Sequence, residues 1–213
     1  PPVVASPGKI VCVGLNYRNH ILEMGRELPP EYPTLFTKFP PEALIGPRDE
    51  IQIPPESDKI DWEGELVVVV GKTVRRADAE QAKAAIAGYT VMNDITMRDY
   101  QYRTPAVFQG KAWESSTPVG PVLVTPGRAA CRRRARHPPR RRGDAAHPHR
   151  RPRLRRRGAR AVHLDDLHAQ PPATSSPPGT PGGVGHARKP GRYITAGQTV
   201  SVSIDGIGEL VNL

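Results

Sequence analysis

Residues 63–70 read EGELVVVV. The stretch begins by alternating acidic with small or apolar residues and ends as a run of Val before Gly71-Lys72. A strand reads this way when one end meets a wet site and the rest is buried. A second, short strand is expected at 89–92 (YTVM), ending at Asn93-Asp94. Between the two, residues 78–87 predict a helix: Asp78 is an N-cap, Gln81 stands three positions on, Ala82, Ala85 and Ile86 share one face, and Gly88 stops it. Upstream, the β-branched run KIVCVGL at 9–15 predicts a strand that delivers a helical turn over 16–24 (NYRNHILEM), ending near Gly25. Downstream, 199–210 predicts a hairpin turned at Asp205-Gly206. The fold class is α+β and strand-rich, with short helices.

The 213 residues are enough for one domain with a real core. Apolar residues make up 37% and aromatics 5%, and nothing approaches the roughly 18 apolar residues of a membrane span, which excludes a transmembrane helix. The chain opens with Pro1-Pro2, without an initiator Met or a secretory signal, and is read as a fragment. Its two cysteines, Cys12 and Cys131, are too few for a disulfide framework or a structural zinc site, and a reducing, cytoplasmic setting is expected.

The net charge of +10 is misleading as an average. Residues 128–160 hold 15 Arg, no Lys and one acid, so subtracting their +14 leaves the remainder at −4. An Arg/Pro/His-rich zone therefore separates two ordered-looking ones, 1–127 and 179–213. There is no internal repeat.

Glu63 and Glu65, two apart on a strand, project from one face with their carboxylates within reach of one ion. Asp94, at the end of the second strand, could close the site, and three carboxylates with waters suit Mg²⁺, Mn²⁺ or Ca²⁺. The same spacing also suits an acidic strand edge facing solvent. His20 and Glu23 are three apart on the predicted turn, where a carboxylate can orient an imidazole and raise its basicity. An exposed His beside a surface Glu has that spacing too.

Five segments, in order, resemble the catalytic domain of the fumarylacetoacetate hydrolase superfamily: NYRNHILEM, DWEGELVVVVGK, GYTVMNDITMRD, QGKAWESSTPVGPVLVTP, and the tail GTPGGVG with GQTVSVSIDGIGEL. The resemblance covers about 1–127 and 179–213. It implies a mixed β-sandwich roll, a homodimer, and Mg²⁺ or Mn²⁺ held by Glu63, Glu65 and Asp94. It also implies His20 and Glu23 as the water-activating pair on a segment that orders over substrate, and Lys111 as the family's catalytic lysine. Tyr17, Arg98, Gln109 and Thr180 fall where members line the substrate pocket. The implied reaction is hydrolytic cleavage of a carbon–carbon bond in a 1,3-dicarbonyl or acylpyruvate-type acid, as in aromatic or small-acid catabolism. Isomerisation, tautomerisation or decarboxylation is the alternative on the same site. In each, a metal polarises the substrate oxygens and Lys111 stabilises an enolate.

The zone 128–178 departs from the family, whose members continue there with strands, a helix and a segment like ISTxxTLNPGDVIATGTP. Codons exist for 172–179 that read Gly-Asp-Val-Ile-Ala-Thr-Gly from the third nucleotide, and for 163–170 that read Ile-Ser-Thr-Thr-Ser-Thr-Leu-Asn from the second. A reading-frame error is the expectation, with a smaller one at Pro105-Ala106-Val107. The competing reading is an Arg-rich arm binding nucleic acid through 128–160, and a disordered linker is a third. The arm is disfavoured because it has no Lys or stacking aromatics and interrupts a domain. One catalytic domain, 1–213, interrupted at 128–178, is expected, and a chain without the replaced strands is expected to fold poorly.

Overall fold

The computed structural model describes residues 2–14, 22, 25, 34–131 and 183–213. All of the predicted turn over 16–24 except Leu22, including Tyr17, His20 and Glu23, lies outside the described residues. So do Thr180 and nearly all of the Arg-rich zone.

Strands β1 (Ile10–Gly14) and β2 (Thr34–Lys38) form an antiparallel pair. A four-stranded sheet runs β3 (Leu44–Ile45), β8 (Thr117–Val124), β6 (Ile86–Asn93), β5 (Gly64–Val70), with β3 and β8 parallel and the rest antiparallel. Two short strands, β4 (Ile60–Asp61) and β7 (Thr96–Met97), pair antiparallel, and β9 (Val200–Ile204) with β10 (Gly208–Asn212) makes a hairpin. Among the described residues the helices are short: α1 (Ala79–Ala84), α2 (Arg98–Gln101), a 3-10 turn (Phe108–Gly110) and α3 (Pro126–Cys131). Among the described residues no helix is long and apolar enough to cross a membrane.

The period-two alternation of β6 gives the sandwich its layers. Met92 packs with Cys12 and Val119, and with Phe36 and Val67, on one face of the sheet. Its neighbour Val91, pointing the other way, packs with Val202 and Leu210 of the C-terminal hairpin. The β1–β2 pair thus covers one face of the central sheet and the β9–β10 hairpin the other. Gly64 is part of the reason the hairpin lies so close, since a Cβ there would stand 2.7 Å from Cγ1 of Val202. A third cluster, Ile45, Ile51, Ile60, Ile95, Met97 and Ile194, ties β4 and β7 to the segment before the hairpin. The last strand is fastened at its end: buried Asn212 donates through Nδ2 to the carbonyls of Gly46 (3.0 Å) and Asp49 (2.8 Å).

The expected capping box is present, with Asp78 Oδ1 accepting from Gln81 N (2.8 Å) and Gln81 Oε1 from Asp78 N (3.1 Å). The helix is shorter than its sequence suggests. It ends at Ala84, and Ile86 opens β6 instead of lying on the helical face, so Gly88 is a strand residue. The cause is tertiary: Ile86 pairs with Val70, and Gly71 N donates to Ala85 O (2.9 Å), so the apolar side chain is buried in the sheet. The hairpin turns at Asp205-Gly206-Ile207, as expected.

Candidate active site

The ends of β5 and β6 carry the acids. Asp94 N donates to Glu63 O (2.8 Å) and Glu63 N to Asn93 Oδ1 (3.0 Å), which locks the two chain segments together where the sheet frays. Glu65 is opposite Met92 in the register and therefore faces the β1–β2 layer, as does Asp94 two residues beyond Met92. All three acids are buried.

Three cations are buried with them. Lys111, following the 3-10 turn, donates to Asp94 Oδ2 (2.7 Å) and Thr96 Oγ1 (2.6 Å) and pairs with Glu63 Oε2 (2.9 Å). Lys38, the last residue of β2, donates to Asp94 Oδ1 (2.8 Å) and Ile95 O (3.2 Å). Arg98, at the start of α2, pairs with Asp61 and Glu63 and donates to Gln101 Oε1 (2.8 Å). Asp61 is itself a hub. Its Oδ1 accepts from Trp62 N (2.9 Å) and Gly185 N (2.7 Å), and its Oδ2 from His186 N (3.0 Å) and Arg98 Nε (2.8 Å). Through Asp61 the turn after residue 182 is fixed to the charged cluster. Gly185 is required there because a Cβ would collide with the carbonyl oxygen of Arg192.

Burial in a low-dielectric interior would ordinarily lower the pKa of a lysine or arginine. At Lys111 the charges of Asp94 and Glu63 outweigh that desolvation and hold the ammonium above its usual value. At Arg98 the charges of Glu63 and Asp61 do the same. Lys111 is therefore a fixed positive charge in this arrangement and not a proton acceptor. Burial also pushes the Cys12 thiol well up, reinforced by the charges of Asp94 and Glu65, so the thiol is protonated.

The structure brings Glu65, Asp94 and Cys12 together, with ligand atoms within 4.8 Å of one another. Glu63 stands beside this group with its two carboxylate oxygens turned to Arg98 and Lys111. A carboxylate oxygen engaged with an ammonium keeps a second lone pair, so all three acids remain chemically able to hold a cation. Among the described residues, four buried acids (Asp61, Glu63, Glu65, Asp94) stand with three buried bases (Lys38, Arg98, Lys111). Oxygen donors of this kind match Mg²⁺ or Mn²⁺.

The pocket-lining residues expected from sequence are placed differently from one another. Arg98 is 1% exposed and spent on ion pairs. Gln109 is exposed on the 3-10 turn, its backbone oxygen accepting from Trp113 Nε1 (2.9 Å). Just before that turn Val107 has φ 55, a left-handed conformation that crowds a β-branched side chain. Lys38, Cys12 and Asp61 had no role in the sequence reading. A Lys ending a strand-like run, TLFTK, is the signal in the sequence that could have found Lys38.

Residues 9–137 match the family described as fumarylacetoacetate (FAA) hydrolase, C-terminal. The chain belongs to this family of enzymes. It is 34% identical over 218 residues to the mitochondrial oxaloacetate tautomerase of Homo sapiens, covering 98% of this chain and 67% of that one. The fumarylacetoacetate hydrolase from psychrophilic Exiguobacterium antarcticum superposes with a TM-score of 0.66 at 29% identity, over 98% of this chain and 75% of the other. A fumarylpyruvate hydrolase from Pseudomonas aeruginosa, solved in complex with Mn²⁺ and pyruvate, matches with a TM-score of 0.50 at 33% identity, over 57% of this chain and 55% of that one. The strand-rich α+β architecture is the fumarylacetoacetate hydrolase fold.

Proposed function

We propose that the chain is a divalent-metal-dependent enzyme that forms and holds the enolate of a 2-oxo acid, with keto–enol tautomerisation of an oxaloacetate-type acid as its reaction. The observation that carries this reading is the buried Lys111 ammonium, 2.7 Å from Asp94 Oδ2 and 2.9 Å from Glu63 Oε2. A fixed cation of this kind stabilises negative charge where it develops, with no reorganisation at the moment of reaction. Glu63, Glu65 and Asp94 would hold Mg²⁺ or Mn²⁺, which when bound supplies Lewis-acid polarisation of the substrate oxygens. Lys38, on the other oxygen of Asp94, holds that carboxylate in place. The proton moved between carbon and the enol oxygen passes in this reading through His20, positioned by Glu23.

The name of the human relative favours tautomerisation. Hydrolytic cleavage of a fumarylpyruvate-like acid is the second reading, favoured by the Pseudomonas relative. It draws on the same enolate and adds attack by a water activated at His20. The test follows the ultraviolet absorbance of enol-oxaloacetate and of an acylpyruvate in parallel, with Mn²⁺, with Mg²⁺ and with a chelator. Enol decay accelerated only with metal, and lowered about 100-fold or more by Lys111→Met, is the expected result. Acceleration that survives chelation would overturn the reading, and acylpyruvate loss without enol turnover would transfer it to the hydrolase.

A further inference from the structure

Cys12 sits at the third of five positions in β1, 3% exposed, with its side chain directed between the layers toward the central sheet. Its sulfur, a carboxylate oxygen of Glu65 on β5 and one of Asp94 beyond β6 are mutually within 4.8 Å. Three donors therefore arrive from two strands and the link after a third at one buried point, which is what a metal centre needs and what a solvent-facing acid cluster lacks.

We propose that Cys12 is a protein ligand in this centre, giving it a second coordination mode in which thiophilic divalent cations such as Cd²⁺, Zn²⁺ or Co²⁺ are held by Cys12, Glu65 and Asp94. This deepens the metal site of the proposed function and rests on Glu65 and Asp94 binding a cation. A hard ion such as Mg²⁺ takes oxygen donors and leaves the sulfur aside. A softer ion gains more from sulfur, and the same pocket offers it by exchanging Glu63, held by Arg98 and Lys111, for Cys12. Metal bonds of about 2.0–2.3 Å bring donor atoms to within roughly 4 Å of one another, so the three need close by only about 1 Å. That is within the reach of rotamer adjustment by a Glu and a Cys. On binding, the sulfur–metal bond forms as the sulfur–hydrogen bond breaks, and the proton leaves to solvent with no change of oxidation state.

The experiment titrates the full chain with Cd²⁺ while recording the ultraviolet sulfur-to-metal charge-transfer absorbance, and separately measures Mn²⁺ binding by the loss of the free-ion paramagnetic resonance signal. Wild type and Cys131→Ser are expected to develop the band. Cys12→Ser and Cys12→Ala should lack it and bind Cd²⁺ at least about tenfold more weakly, with Mn²⁺ affinity little changed. Two variants are used so that misfolding of one, read from its melting curve, leaves the other decisive. Cd²⁺ binding without the band, or a band that persists in both Cys12 variants, would overturn the proposal while leaving the Mn²⁺ site intact. Failure of the wild type to bind Mn²⁺ would instead strike the proposed function.

Discussion

Replacing Arg98 with Met removes a side chain that joins Asp61 to Glu63. The guanidinium is 1% exposed and lies 2.8 and 2.7 Å from Asp61 Oδ2 through Nε and Nη2, and 2.7 Å from Glu63 Oε1 through Nη1. Methionine fills much of the volume, so the loss is electrostatic. Two buried carboxylates would be left short of partners, but neither bare: Asp61 keeps the N–H groups of Trp62, Gly185 and His186, and Glu63 keeps Lys111. Breaking a buried pair from one side costs about 3–5 kcal/mol, and the retained donors keep the expected cost within that range. At this chain length each kcal/mol moves Tm by roughly 2–4 °C, so a fall on the order of 10 °C is expected in calorimetry at pH 7. Lys83→Ala provides the contrast, because that ammonium is 72% exposed and 3.8 Å from Glu80, and its loss should cost less than about 0.5 kcal/mol. An Arg98→Met protein melting within about 2 °C of wild type would refute the reasoning that the buried Arg98 pairs are costly to break.

Gly64→Val places a side chain where a Cβ alone would stand 2.7 Å from Val202 Cγ1, so the hairpin must shift outward. The urea midpoint should fall by the equivalent of about 1–3 kcal/mol at unchanged slope, and an unchanged midpoint would contradict the close packing of the two layers. His186 is held below its ordinary pKa by partial burial first and then by the Arg98 charge, against the opposing pull of Asp61. The folded state therefore favours the neutral ring, and its contribution is complete above the unfolded value of about 6.5 and lost as pH falls below that through the lower folded-state value. His186→Gln should flatten the decline in urea stability between neutral and mildly acid pH, and two parallel pH profiles would remove His186 from the account.

Much of the fold could be read along the chain because its cause is local. The capping box at Asp78 and Gln81 involves residues three apart, and the alternation of EGELVVVV places Glu65 on one face and Gly64 on the other whatever the rest of the chain does. The candidate acids were legible for the same reason, since a two-residue spacing on a strand fixes which side chains share a face. The helix end at Ala84 was not legible, because it depends on Ile86 finding Val70 across the sheet.

Strand periodicity, turn chemistry and the order of the motifs lie in the residues themselves, and they were enough for the α+β class and the family, and for naming Glu63, Glu65, Asp94 and Lys111 as candidates. Which charge meets which was settled in three dimensions. Lys38 reaches Asp94 across 56 positions, Asp61 receives Gly185 across 124, and Cys12 meets Glu65 between facing layers. The physical reason is range: backbone geometry repeats over a few residues and leaves its period in the sequence. The pairing of buried charges depends on how whole layers stack, and no short window of sequence carries that.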